Sequence, residues 1–388
     1  MLDEDYSLSD SQELAPTRDD LPGTQTYVPV EIQQCDPQLM ANYAQVLDDR
    51  KLSWTSHLRF TKRLGVGGQG VVFLSDRKGA DGFSLPVAVK VFSPERFASA
   101  DEYAAGMARI SRVASRIARL QHDNLLMLQN FLEKHQIRVL AMEWIEGFDL
   151  RVLTRPKTLN LIEANVAAER WRQINEVVLT GGWMQGRFKP GVAVEIVRDC
   201  LAGLAALHRE GIVHGDIKPA NIMVRRSGSS KIIDYGSAFE LIDPPIRRAC
   251  TPGYASLEVL ENRPMTPQSD LASLGYVLIE LLSGRQVFGE NDDLTTLRET
   301  KRQLPSRLAS MMPYEVACNE LLMGFCQRLI APDARDRFPS AEDADLKEHG
   351  AAAFHRQLVK GDLSSEYGNE LRLLIEELLT IPEMGTVR

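Results

Sequence analysis

The chain has 388 residues, 44% hydrophobic and 25% charged, with a formal net charge of -8, which suits one large two-lobed domain with extensions. The acidic balance argues against bulk attraction to nucleic acid or anionic lipid. Five scattered cysteines (Cys35, Cys200, Cys250, Cys318 and Cys326), with no CxxC pair, argue against a disulfide framework or a zinc site. No apolar run of about 18 residues offers a membrane span and the acidic start has no signal-peptide pattern, so a reducing cytoplasm is the expected setting.

Residues 1 to about 25 gather Asp3, Glu4, Asp5, Asp10, Glu13, Asp19 and Asp20 against Arg18, a composition expected to stay disordered. A short helix is expected near 40–47. Residues 58–92 read as strands with tight turns: Leu58, Arg59 and Phe60 alternate, Val71 to Leu74 are β-branched or bulky, 78–82 is a turn, and Val87-Ala88-Val89-Lys90-Val91-Phe92 is strand again. Ser99 and Glu102 form a capping box opening a helix with Tyr103, Met107, Ile110, Ala114 and Ile117 at helical spacing. Two strands follow, at 125–131 and 137–144.

After Gly147 the chain turns helical. An insertion at about 155–190 is expected to carry one helix, near 165–179. Ile196, Val197, Cys200, Leu201, Leu204 and Leu207 line one face of a helix over 191–208, with Gly211 as terminator, and a further apolar helix at 271–282 stops near Gly284. Leu371, Leu374, Ile375 and Leu378 share a face near the end. The expected parts are an extension (1–54), a strand-rich lobe (55–146), a helix-rich lobe (147–345) and a helical tail (346–388).

Four segments carry chemistry. Gly65-Val66-Gly67-Gly68-Gln69-Gly70 lies between two strands. A Rossmann fingerprint would open into a helix, whereas a strand-turn-strand of glycines can approach phosphates closely. A plain hairpin is the other reading. Lys90 in an apolar strand needs a partner for its charge, and phosphate would serve. In His214-Gly215-Asp216-Ile217-Lys218-Pro219-Ala220-Asn221, Asp216 can accept the proton of an attacking hydroxyl, Lys218 can steady phosphoryl charge, and Asn221 offers an oxygen to a metal ion. Asp234-Tyr235-Gly236, after the apolar Lys231-Ile232-Ile233, suits a second metal ligand on a hinge.

In this order the segments resemble the protein kinase family over about residues 58–345. The resemblance implies an α+β fold of two lobes, a small antiparallel-sheet lobe with one helix and a larger, mainly helical lobe. It implies a bacterial-type Ser/Thr protein kinase that uses ATP and Mg2+ and acts on a protein substrate, with no nucleic acid partner. It puts the nucleotide among Gly65 to Gly70, Val72, Ala88 and Lys90, with Met142, Glu143 and Ile145 as the hinge that bonds adenine and Asp149 near the ribose. Asn221 and Asp234 would hold the metal, with Asp216 and Lys218 catalytic. Thr251 to Glu258 resembles the substrate-docking loop, closing in Ser-Leu-Glu. Glu258 would pair with Arg337, and Asp270 would brace the catalytic loop.

Three departures stand out. No acid lies between Glu102 and Asp123, and Val113, nine residues before His122, stands where the family places the glutamate that pairs with the strand lysine. Gly215 replaces the usual arginine of the catalytic loop, and Ser237 is the one hydroxyl between Asp234 and Thr251 apart from the Tyr235 phenol. Both features argue against switching by an activation-loop phosphate. Arg109, Arg112, Arg116 and Arg119 form a stripe, either a solvated face or a dock for an acidic segment such as the amino-terminal tail. Two other readings stay open: a small-molecule kinase resembling aminoglycoside or choline phosphotransferases, and a pseudokinase scaffold, which the missing glutamate favours.

Overall fold

The computed structural model describes residues 36–49, 51–52, 58–245, 250–289, 292–359 and 364–385. The disorder expected for 1–25 lies outside the described residues. The chain begins with α1 (Pro37–Asp49), which buries Leu39, Tyr43 and Val46 on the small lobe and ties Asp49 to Lys134 at 2.6 Å. An antiparallel sheet follows, built from the two-residue β1 (Lys51–Leu52), β2 (Leu58–Gly67), β3 (Gly70–Lys78), β4 (Ser84–Phe92), β5 (Leu128–Lys134) and β6 (Ile137–Glu143) in the order β1-β2-β3-β4-β6-β5.

Strand alternation decides which face each side chain takes. The registers Val72↔Lys90↔Leu140 and Leu74↔Ala88↔Met142 put these residues on one face, toward the second lobe. Val87, Val89 and Val91 point the other way and are fully buried. The helix α2 (Ala100–Ile117), between β4 and β5, buries Tyr103, Met107, Val113, Ala114 and Ile117. Ser99 caps it as expected, accepting from Glu102 N at 3.1 Å. The Glu102 carboxylate reaches Ala98 N at 2.8 Å, one residue beyond the cap.

The large lobe opens with β7 (Gly147–Asp149) and α3 (Leu150–Thr154). The insertion differs from expectation: it holds two helices, α4 (Pro156–Asn165) and α5 (Ala168–Val177), and a hairpin of β8 (Leu179–Gly181) and β9 (Gly186–Phe188). Pro156 starts α4, where its missing N–H costs nothing. That helix buries Thr158 and Ile162, and α5 buries Ile174. Then come α6 (Pro190–Arg209), β10 (Ile212–Val213), β11 (Ile222–Arg225), β12 (Ser230–Ile232), β13 (Phe239–Glu240), α7 (Leu257–Leu260) and α8 (Pro267–Ser283). The last of these is buried along nearly its whole length and ends at Gly284 in the left-handed region, φ 69°.

Helices α9 (Leu294–Met311), α10 (Tyr314–Ala317), α11 (Glu320–Leu329), α12 (Ala341–Leu346), α13 (Ala351–Val359), α14 (Ser364–Thr380) and α15 (Pro382–Gly385) complete the chain. Leu371, Leu374, Ile375 and Leu378 of α14 are buried against the large lobe, as their spacing predicts. Glu370 and Glu377 of the same helix clasp Arg170 of the insertion. Among the described residues no helix is long and apolar enough to cross a membrane.

Candidate active site

The glycine turn between β2 and β3 hangs over the gap between the lobes. Gly70 has φ 137°, and a Cβ there would stand 1.9 Å from the Val91 carbonyl oxygen, so only glycine lets the turn lie this close to β4. Ser93 N donates to Gln69 O at 3.0 Å and fixes the tip. Beneath it, Lys90 is 5% exposed. Its Nζ lies 2.5 Å from Asp234 Oδ1 and 2.8 Å from Gln69 Oε1. Asp234 sits in left-handed backbone, φ 63°. Burial pushes its carboxyl up, but the Lys90 ammonium outweighs that, and with the Gly236 N–H and Lys218 holds it down at about 2. Val113 is buried at 2% exposure within α2.

The large-lobe side is a tight polar network around Asp216, itself 5% exposed. Oδ2 accepts from Asn221 Nδ2 at 3.1 Å and lies 2.8 Å from Lys218 Nζ. Oδ1 accepts from Thr251 Oγ1 at 2.8 Å, and Lys218 donates to that same hydroxyl at 2.9 Å. Gly215 has φ 78°, left-handed backbone that favours glycine, and a Cβ there would stand 3.0 Å from the Ser237 carbonyl oxygen. Asp270 braces the loop from below, accepting from His214 N and Gly215 N at 2.9 Å each and contacting His208 Nε2 at 2.9 Å. Burial opposes its ionisation, yet His208, His214 and the Gly215 N–H hold its carboxyl below the usual range.

Two further contacts fix the loop after Thr251. Glu258 and Arg337 form a buried two-pronged pair, both oxygens at 2.8 Å, with Ser269 Oγ donating to Glu258 Oε1 at 2.7 Å. Lys301 of α9 is buried against the Tyr276 and Phe288 rings, 3.9 and 3.5 Å from their centroids, and donates to Gly253 O at 2.6 Å. Burial pushes its pKa well below the usual lysine range.

The cleft encloses about 1020 Å³. Its lining brings together every residue expected around a nucleotide: Gly65, Val66, Gly67, Gly68, Gln69, Gly70, Val72, Ala88, Lys90, Met142, Glu143, Ile145 and Asp149, with Lys218, Asn221 and Asp234. Asp216 joins them through Lys218 and Asn221. Glu258, Arg337 and Asp270 lie outside the lining. Asp149 also caps α3, accepting from Val152 N at 2.9 Å, and burial raises its pKa against Arg151 and Arg155. Glu143 pairs with Lys231 and accepts from Met127 N at 2.7 Å. Leu140, Met223 and, from the far end of the chain, Met384 are lining residues that the motifs do not mark. Met223 stands on β11 opposite Asp149 in the ladder, a placement that strand pairing gives and no motif marks. No local signal marks Met384.

The apolar walls suit a flat base. The Asn221 amide and the Asp234 carboxylate give two hard oxygen donors, and magnesium takes a few such ligands and completes its shell with water and phosphate oxygens. The donor set therefore fits Mg2+.

At the outer rim, the arginine stripe of α2 meets acids of the large lobe. Arg116 reaches Glu240 at 2.6 Å and Glu210 at 3.2 Å, and Arg112 reaches Asp243 at 2.6 Å. Arg109 is 4.0 Å from Asp243, and Arg119 donates to Ser115 O. Acids on both sides of Asp234 in the chain, Glu210 before it and Glu240 and Asp243 after it, thus meet the stripe expected to face solvent or a partner.

Residues 58–348 match the family model for the protein kinase domain. Among curated proteins, the chain is 27% identical over 295 residues to Serine/threonine-protein kinase PkaA of Streptomyces coelicolor, covering 72% of this chain and 47% of that protein. It is 29% identical over 293 residues to Serine/threonine-protein kinase PrkC of Bacillus subtilis, covering 73% and 39%. Against Serine/threonine-protein kinase pkn2 of Myxococcus xanthus it is 27% identical over 322 residues, covering 79% and 33%. The chain spans between a third and a half of these relatives' lengths.

Proposed function

Since the chain belongs to the protein kinase family, we propose that it is a bacterial-type Ser/Thr protein kinase, moving the γ-phosphate of ATP to a protein hydroxyl. One observation carries this reading: the Thr251 hydroxyl rests 2.8 Å from Asp216 and 2.9 Å from Lys218. Asp216 is thus already placed to bond a hydroxyl, and the loop that supplies Thr251 is tied to it. A loop anchored this way, with Glu258–Arg337 and Lys301 behind it, favours an acceptor laid along it as polypeptide over a small alcohol.

The residues divide the work. Lys90 holds the α- and β-phosphates. Asn221 and Asp234 would hold Mg2+, which would neutralise charge on the phosphate oxygens. Asp216 orients the acceptor hydroxyl and takes its proton, a role worth about 10²- to 10⁴-fold in rate. Lys218 neutralises charge developing on the transferred group. Little covalent chemistry falls to the protein, so most of the gain comes from position and electrostatics.

Regulation follows the same lines. Gly215 offers no guanidinium to a phosphate, and the α2 arginines already meet Glu210, Glu240 and Asp243. Both support activity without a phosphorylated activation loop. The test is transfer of labelled phosphate to a generic basic protein, beside a panel of amino-alcohols and sugars, with Asp216→Ala as control. Labelling of the protein alone, abolished in the variant, is expected. Labelling of a small alcohol would move the chain to the small-molecule kinases. No Mg2+-dependent turnover at all would leave a scaffold.

A further inference from the structure

Lys90 is held without an acid from α2. Ile110 and Ala114 of that helix line the cleft, and Val113 is buried among apolar neighbours. We propose that Gln69, at the tip of the glycine turn, is the residue that positions Lys90 for phosphate transfer. The proposal rests on the kinase reading above.

Three observations carry it. First, Lys90 Nζ lies 2.8 Å from Gln69 Oε1. A lysine ammonium only donates, so the amide must present its oxygen there. Its three N–H groups then serve Gln69, Asp234 and a phosphate oxygen. Second, the inward pose of Gln69 is built in. Its carbonyl accepts from Ser93 N at 3.0 Å, its Nε2 donates to Ser237 Oγ at 3.1 Å, and it is 4% exposed despite standing on a turn. Third, the opposite wall makes room for it: a Cβ on Gly236 would stand 1.7 Å from Gln69 Oε1. The amide therefore bridges the glycine turn, the strand lysine and the segment after Asp234. A neutral partner also changes the charge balance. Lys90, Gln69 and Asp234 sum to zero, where a carboxylate in place of the amide would leave a negative charge facing the incoming phosphates.

The test uses the full chain with Gln69→Met, which keeps length and removes the acceptor, and Gln69→Glu, which restores an acceptor. Steady-state kcat and KM for ATP and for a protein substrate are measured beside calorimetric MgATP binding and thermal unfolding. Gln69→Met is expected to lower kcat/KM for ATP by about 10- to 100-fold, the weight of one hydrogen bond to a charged group, with the protein-substrate KM unmoved and the melting temperature lowered by only a few degrees. Gln69→Glu should recover part of that loss, because the restored acceptor is set against the added negative charge. The inference falls if Gln69→Met stays within about twofold of wild type, or if Met and Glu lose equally, since then the acceptor is not what matters. Wild type that binds MgATP but transfers no phosphate would sink the enzymatic reading instead. Calorimetry of the two variants would then still decide for or against Gln69.

Discussion

On the large-lobe side of the cleft, Asp216, Lys218, Asn221 and Thr251 bond one another within a buried network. On the small-lobe side, Lys90 depends on Gln69 across a turn and on Asp234 from the other lobe. The helix α2 is secured at its rim by pairs in which Arg116 is 33% and Arg112 61% exposed. The two sides therefore differ in what disturbs them. Salt screens exposed pairs over about 8–10 Å and hardly reaches a buried network. The large-lobe side is a fixed template, while the small-lobe side can be tuned.

Breaking the fixed side should have the largest effects. Asp216→Ala is expected to lower kcat by about 10²- to 10⁴-fold while MgATP binding by calorimetry persists. Removing one partner of the buried pair, in Glu258→Ala, should cost about 3–5 kcal/mol of stability in urea titrations. The same pair sets an acid limit. The Glu258 carboxyl, which burial raises and Arg337 and Ser269 hold down, titrates at about 2 in the fold against an ordinary 4.5. Its contribution is complete above pH 4.5 and drains away as pH falls toward 2. Urea midpoints recorded across that window should slope less in Glu258→Gln.

The tunable side should respond more gently. Arg116→Ala is expected to change kcat by less than about fivefold and to flatten the response of wild-type activity to added salt, read between about 0.05 and 0.5 M. An unchanged salt profile would mean that the rim pairs do not set the position of α2. Smallest of all, Ser237→Ala should cost about threefold, the low end for one neutral hydrogen bond, and Ser237→Asp should not raise activity. A loss in the first with restoration in the second would reinstate a phosphate switch.

The same division marks what could be read in advance. Asp216, Lys218 and Asn221 fall within six residues of one another, and strand period puts Val72, Ala88 and Lys90 on one face, so local order was enough. The Glu258–Arg337 pair was reachable only through the family resemblance. The partner of Lys90 was not legible, because its amide is 21 residues away and no period marks a turn residue as pointing inward. Nor were the acids that meet Arg116, 94 and 124 residues distant. The first insertion helix, α4, also escaped, though the helix expected at 165–179 is present as α5.

Lys301 has a consequence of its own. On the kinase reading proposed above, a lysine enclosed by two aromatic rings and pinned to the Gly253 carbonyl would make the loop after Thr251 a finished platform before any polypeptide arrives. A polypeptide docking there would not have to order this loop on arrival, so that part of the entropy cost of binding would be spared.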